Sequence, residues 1–209
     1  IDKLLDLNKL QECLNILIKR HDALRTHFEI IDNEVIQIID NYLDYQLTVD
    51  DANTDDLNKI FTDFVKPFDL SKAPLFRTKL VKLENNKMLF LLDMHHIISD
   101  GTSLGILLQE LCDLYNNNDL TEKHIDYKDF TLWEKEQFES EKFKSSKEYW
   151  VNQFNDEIPL LNMPTTYTRP SVQSFEGSNY HTTLSKELYD KVNEVAKKLN
   201  ITPYMLMLS

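Results

Sequence analysis

Apolar positions along the chain switch repeatedly between a helical and a strand-like period. Leu7, Leu10, Leu14, Leu17 and Ile18 lie on one helical stripe, and the chain then reads as a strand from Arg25 to Ile31. Asp32-Asn33-Glu34 predicts a hairpin turn into a second strand, Val35 to Ile39. A further short strand is expected over Tyr45 to Val49, and Leu57, Ile60, Phe61, Phe64 and Val65 form another helical face. Leu75 to Leu83 alternates, with Phe76, Thr78, Leu80 and Lys82 on one side, which predicts a half-exposed strand. Glu84 to Lys87 then turns the chain into Met88 to Leu92, an unbroken apolar run expected to be the central strand, buried on both faces.

From Ser103 the helical period returns. Leu104, Leu107, Leu108, Leu111 and Tyr115 share a stripe, with Thr102 and Ser103 as N-cap candidates. After the polar break at Asn116 to Asp119 come a helical hairpin through Trp133 and Trp150, a strand over Tyr180 to Leu184, and a helix carrying Leu188, Val192, Val195, Ala196 and Leu199. Interleaved strands and helices argue an α/β sandwich. Pro159 to Gly177, with three prolines, reads as the linker. The chain starts at Ile1 with a helical pattern under way and stops at Ser209 inside an apolar run, so a fragment of a longer polypeptide is expected.

Composition narrows the function classes. With 23 basic and 35 acidic residues the net charge is -12, which makes nucleic acid and anionic membrane poor partners. No apolar run reaches the roughly 18 residues of a membrane span. Cys13 and Cys112 fall on or beside apolar helical faces without paired spacing, which suits buried thiols in a reducing, cytoplasmic setting. Three glycines and no phosphate-binding loop leave nucleotide binding unsupported.

The chemistry concentrates between the apolar strand and the Ser103 helix, where His95, His96, Asp100 and Gly101 lie within seven residues. A helix N-terminus presents unpaired N–H groups and favours negative charge beside it. Histidine is the side chain whose unperturbed pKa lies nearest neutrality, so one here suits proton transfer. Adjacent side chains on extended backbone point to opposite sides, so the two histidines are expected to diverge, one being structural. Metal binding lacks a Cys-x-x-Cys or His-x-x-x-His clip. Asp100 suits either a helix cap or a partner for an arginine.

His95-His96-Ile97-Ile98-Ser99-Asp100-Gly101 resembles the HHxxxDG motif of nonribosomal peptide synthetase condensation domains, in the chloramphenicol acetyltransferase-like acyltransferase superfamily. Three further segments match in order. Arg20 to Phe28, RHDALRTHF, is similar to RHExLRTxF, with Asp22 where glutamate is common. Tyr127 to Trp133, YKDFTLW, is similar to YxDYAVW, with Phe130 for tyrosine. Asn162 to Gly177 resembles the proline-containing stretch between the family's two lobes.

The resemblance implies a two-layer sandwich lobe over residues 1–170, linker included, and the start of a second lobe of the same type over 171–209. It implies amide formation between a carrier-bound donor thioester and the α-amine of a carrier-bound acceptor, with this fragment inactive alone. His96 becomes the catalytic histidine and His95 an orienting one. The Gly101 N–H is a candidate oxyanion donor, and Asp100 is structural, paired with Arg25 or alternatively Arg77. Read from the residues themselves, Arg20, His21 and Arg25 are expected chiefly as helix-end cations, and Tyr127 and Trp133 as packing residues. No cofactor is expected to bind directly, the 4'-phosphopantetheine being presented by upstream and downstream peptidyl carrier domains beside an adjacent adenylation domain. Two other readings compete: a noncatalytic carrier-docking module, and a free-standing acyltransferase using coenzyme A.

Overall fold

The computed structural model describes residues 1, 4–53, 56–160 and 164–209. The chain divides into two compact units, Ile1–Asp156 and Glu157–Ser209. Part of the proline-containing stretch, residues 162 and 163, lies outside the described residues.

In the first unit, helix α1 (Leu7–Arg20) begins at Asp6, whose carboxylate accepts from the Lys9 N–H, and buries Leu10, Cys13, Leu14, Leu17 and Ile18. Burial raises the pKa of the Cys13 thiol. A 3-10 turn (Asp22–Arg25) leads into the antiparallel hairpin of β1 (Thr26–Ile31) and β2 (Glu34–Ile39). Asp32 and Asn33 join the strands with φ of 52° and 64°, the left-handed conformation that a two-residue hairpin turn requires.

A second sheet has the order β3 (Thr48–Asp51), β4 (Phe76–Lys82), β5 (Met88–Met94), with β3 parallel and β5 antiparallel to β4. The parallel connection runs through helix α2 (Leu57–Phe64), as a crossover between parallel neighbours needs a long link. The strand expected from Tyr45 starts only at Thr48. Gln11 of α1 explains the delay: its amide donates to the Tyr45 carbonyl and accepts from the Leu47 N–H, occupying groups a ladder would use.

Two expectations about this sheet are corrected. β4, expected to be half exposed, is the middle strand and the better buried, with Leu80 and Val81 at 0% exposure. β5, expected to be central, lies at the edge of the three. Alternation along β4 registers two different apolar clusters: Phe76 and Leu80 face α1 and helix α3 (Gly101–Tyr115), while Val81 faces Phe64 of α2. Tyr45 joins the first cluster, its hydroxyl bonded to Thr78 and its ring 4.7 Å from Phe76. Truncating Leu17 or Leu80 to alanine removes about 2–5 kcal/mol of stability.

The stripe expected along α3 is rotated. Leu107, Leu111, Leu114 and Tyr115 meet the core, whereas Leu104 and Leu108 are exposed. Cys112, expected to be buried, is exposed with them. Helices α4 (Tyr127–Phe138) and α5 (Glu141–Gln153) form the hairpin, but Tyr127, Trp133 and Trp150 are exposed rather than packed in a core. Tyr127, Phe130 and Trp133 instead meet in series along α4 as tilted ring pairs, with successive centroids 5.8 and 5.6 Å apart.

In the second unit, α6 (Lys186–Leu199) is capped by Ser185 and followed by the short α7 (Pro203–Leu208). Tyr180 to Leu184 is not a strand. Among the described residues of this unit there is no second strand to take its backbone hydrogen bonds, without which alternation alone does not make a strand.

Candidate active site

The loop from β5 to α3 is held by His95. Its N–H donates to the Leu75 carbonyl at 2.9 Å, continuing the ladder one residue past β5. Its carbonyl accepts from the Ile98 N–H and the Ser99 hydroxyl. Its Nδ1 accepts from the Ile97 N–H at 3.0 Å, which assigns the ring proton to Nε2. The loop is thus tied together through His95, and the following residue is exposed.

That residue is His96, exposed and lining a cleft of about 360 Å³ with Asp22, Thr26, Phe28, Asp100 and Lys128. His95 is not in its lining; its ring meets the edge of Phe68. The cleft therefore draws on four stretches: the Arg20–Phe28 segment, Gln37 and Ile39 of β2, the loop from His96 into α3, and the start of α4.

Asp100 is the N-cap of α3, two to three residues earlier than the Thr102 or Ser103 cap expected. Its carboxylate accepts from the Ser103 N–H at 2.7 Å and the Ser103 hydroxyl at 2.6 Å, and that hydroxyl accepts from the Asp100 N–H. These donations hold the Asp100 carboxyl below its ordinary range, the facing His96 adding a smaller effect. Gly101 is the first residue of α3, so its N–H has no carbonyl of the helix to donate to. A Cβ there would meet open space.

The arginine pairing expected for Asp100 is not formed. Arg25 is committed elsewhere: its guanidinium donates to the Ile18 carbonyl near the end of α1, to the Asp40 carbonyl, and to Asp22 at 2.6 Å. Arg77 donates to the carbonyls of Phe64 and Lys66, and its Nε lies 3.2 Å from Asp93 as an ion pair without hydrogen-bond alignment. A carboxylate already satisfied by a cap has little to gain from a cation that would first have to leave these partners.

Arg20 also acts at a distance. With His21 it grips Glu110, in the middle of α3, at 3.1 and 2.6 Å, and its second nitrogen donates to the Thr121 carbonyl. Burial raises the Glu110 pKa, but hydrogen bonds from His21 and Arg20 outweigh it, and the carboxyl lies below its ordinary value. Asp22 behaves alike: burial pushes it up, and Lys128 and Arg25 bring it below the ordinary value. Sequence patterns left Glu110, Phe68 and Lys128 unmarked, because each is defined by a contact with a distant segment. The Asp100-x-x-Ser103 spacing was the readable signal for the cap.

The Condensation domain family model matches residues 1–209. Gramicidin S synthase 2 of Aneurinibacillus migulanus is 44% identical over 209 residues, covering 100% of this chain and 5% of that protein. Tyrocidine synthase 3 of Brevibacillus parabrevis is 46% identical over 205 residues, covering 98% of this chain and 3% of that protein. The chain thus spans about a twentieth or less of the length of these relatives. Among solved structures, the X-domain from teicoplanin biosynthesis superposes with a TM-score of 0.80 at 19% identity, covering 96% of this chain and 47% of that one. The epimerization domain from the third module of tyrocidine synthetase B gives 0.70 at 20% identity, covering 80% and 41%.

Proposed function

The chain belongs to the condensation-domain family, with an α/β lobe of the chloramphenicol acetyltransferase-like type, and from that premise we propose that it forms amide bonds within a nonribosomal peptide synthetase. The observation that carries the reading is the placement of His96, exposed in a cleft at the N-terminus of α3 while His95 holds the loop. Residues 1–170 are the first lobe with its linker, and 171–209 begin the second. Carrier domains upstream and downstream present the substrates on 4'-phosphopantetheine, and an adenylation domain loads them.

The acceptor's α-amine attacks the donor's thioester carbonyl, forming the C–N bond. An α-amine has a pKa of about 8, so keeping it neutral at pH 7 costs only about 1 kcal/mol. The proton is more readily given up after attack, when the nitrogen has become acidic; His96 takes it and passes it to the departing pantetheine sulfur as the C–S bond breaks. The Gly101 N–H, at the positive end of α3, faces the oxyanion, a donation typically worth roughly a hundred- to a thousandfold in rate. Asp100 contributes by fixing the first turn of α3, and hence the direction of that N–H. Arg20, Arg25 and Arg77 support the cleft through Glu110, Asp22 and Asp93.

Single-turnover amide formation by the complete domain, with donor and acceptor aminoacyl carriers, tests this. His96→Ala, with folding checked by thermal melt, is expected to lose about a hundredfold or more. Wild-type turnover in the folded variant would remove His96 from the mechanism. Binding of both carriers without product from wild type would instead favour a docking module, and equal transfer from free coenzyme A thioesters a free-standing acyltransferase.

A further inference from the structure

A second cavity, of about 370 Å³, lies directly beside the His96 cleft and shares Ala23, Ile98, Ser103 and Tyr127 with it. It runs along the first three turns of α3, from Ser103 through Ile106 and Leu107 to Glu110. Ile98, Ile106, Leu107, Ile125 and Tyr127 give it an apolar wall. The charged side of the cavity is closed on itself, because Glu110 is held by both Arg20 and His21. Lys123 and Asp126, which also line the cavity, are paired with each other, so an occupant meets apolar surface and charges that are already matched. A volume in the range of small-ligand sites, few free polar groups and an opening into the reaction cleft describe a side-chain subsite.

Its direction selects the substrate. The oxyanion forms on the donor's carbonyl oxygen, beside the N-terminus of α3, and the cavity continues from that point down the same helix. We infer that this cavity receives the apolar side chain of the donor residue whose thioester reacts beside His96, an inference that rests on the condensation reading above. A charged donor side chain is disfavoured, since it would be desolvated beside groups that already have partners.

Ile106 is half exposed on the cavity wall and takes no part in the chemistry, which makes it the residue to vary. The complete synthetase module is assayed for single-turnover amide formation with leucyl, alanyl and aspartyl donors on the upstream carrier. Wild type is expected to use leucyl at least about tenfold better than aspartyl, and Ile106→Trp to lower the leucyl-to-alanyl ratio by about tenfold or more. An unchanged ratio in the folded variant overturns the inference, as does an equal loss for all donors, the result if the chain itself fills the cavity. Should Ile106→Trp fail to fold, Ile106→Ala is expected to raise the ratio of phenylalanyl to leucyl transfer, and no change there overturns the inference equally. No amide from any donor with wild-type protein would overturn the condensation reading itself, and the subsite with it.

Discussion

Arg77 holds its guanidinium 3.8 Å over the ring of Phe68, and the edge of that ring meets His95 at 87° with 6.2 Å between centroids. The Arg77 side chain is anchored by Asp93 and by the carbonyls of Phe64, the last residue of α2, and Lys66, just after it. A cation over a ring face is attracted by the ring's quadrupole, which strengthens the contact beyond its apolar area. The His95 imidazole, which accepts the Ile97 N–H and does not line the His96 cleft, is thereby held at its ring by Phe68.

Phe68→Ala is therefore expected to lower kcat for amide formation about 10- to 100-fold with little change in acceptor KM, because a small displacement of the loop misplaces His96 and the α3 N-terminus. Phe68→Tyr keeps the ring and is expected to restore the rate. A rise in KM with kcat intact would show that the ring serves binding instead of loop geometry.

Asp100 acts on stability through its cap. Asp100→Ala is expected to cost about 1 kcal/mol in denaturant unfolding, whereas Asp100→Ser, which can still accept the Ser103 N–H, keeps most of it. Equal losses in the two variants would mean that the charge, and not the cap, is what the loop depends on.

Elements whose apolar residues face one neighbour were legible in the chain. The stripe from Leu10 to Ile18 and the hairpin at Asp32-Asn33 each depend on nearby residues and declare themselves. β4 was misread because Leu80 and Val81 bury opposite faces, and Arg77 and Lys79, which share the face of Val81, looked like a solvated side. On α3 the stripe was rotated because Leu104 and Leu108 share the period of the core residues without meeting the core. In the site, the histidine pair and its divergence follow from spacing and strand geometry. The partners of the arginines do not: Arg20 finds Glu110 across 90 positions, and Asp22 finds Lys128 across 106. Such pairs are set by which helices pack together, and no local pattern carries them.

The hairpin turn offers a test of backbone conformation alone. Asn33 sits at φ 64°, where asparagine and glycine are tolerated and a β-branched residue is strained. Asn33→Val is expected to lower stability by about 1–2 kcal/mol, and Asn33→Gly to leave it nearly unchanged, as read from thermal melts. Indifference to valine would mean that the turn adopts another geometry in solution.

Glu110 ties α1 to α3, and its pKa makes that tie sensitive to acid. Its folded value lies below the ordinary 4.5, with burial opposed by donation from His21 and Arg20. A carboxyl whose pKa is depressed on folding stabilises the native state above its unfolded pKa, and that stabilisation disappears as pH falls through the folded value. The contribution is thus present at neutral pH and is lost progressively below pH 4.5. With the side chain only 15% exposed, Glu110→Gln leaves Arg20 and His21 without their carboxylate, which is expected to cost about 1–3 kcal/mol at pH 7. Below pH 4.5 the wild-type protein loses this advantage, so the stabilities of the two proteins should converge as acid is added, the variant showing the shallower slope. Urea unfolding at a series of pH values measures both curves. Parallel curves separated by a constant offset would show that Glu110 contributes through shape and packing, and that its charge does not hold the helices together.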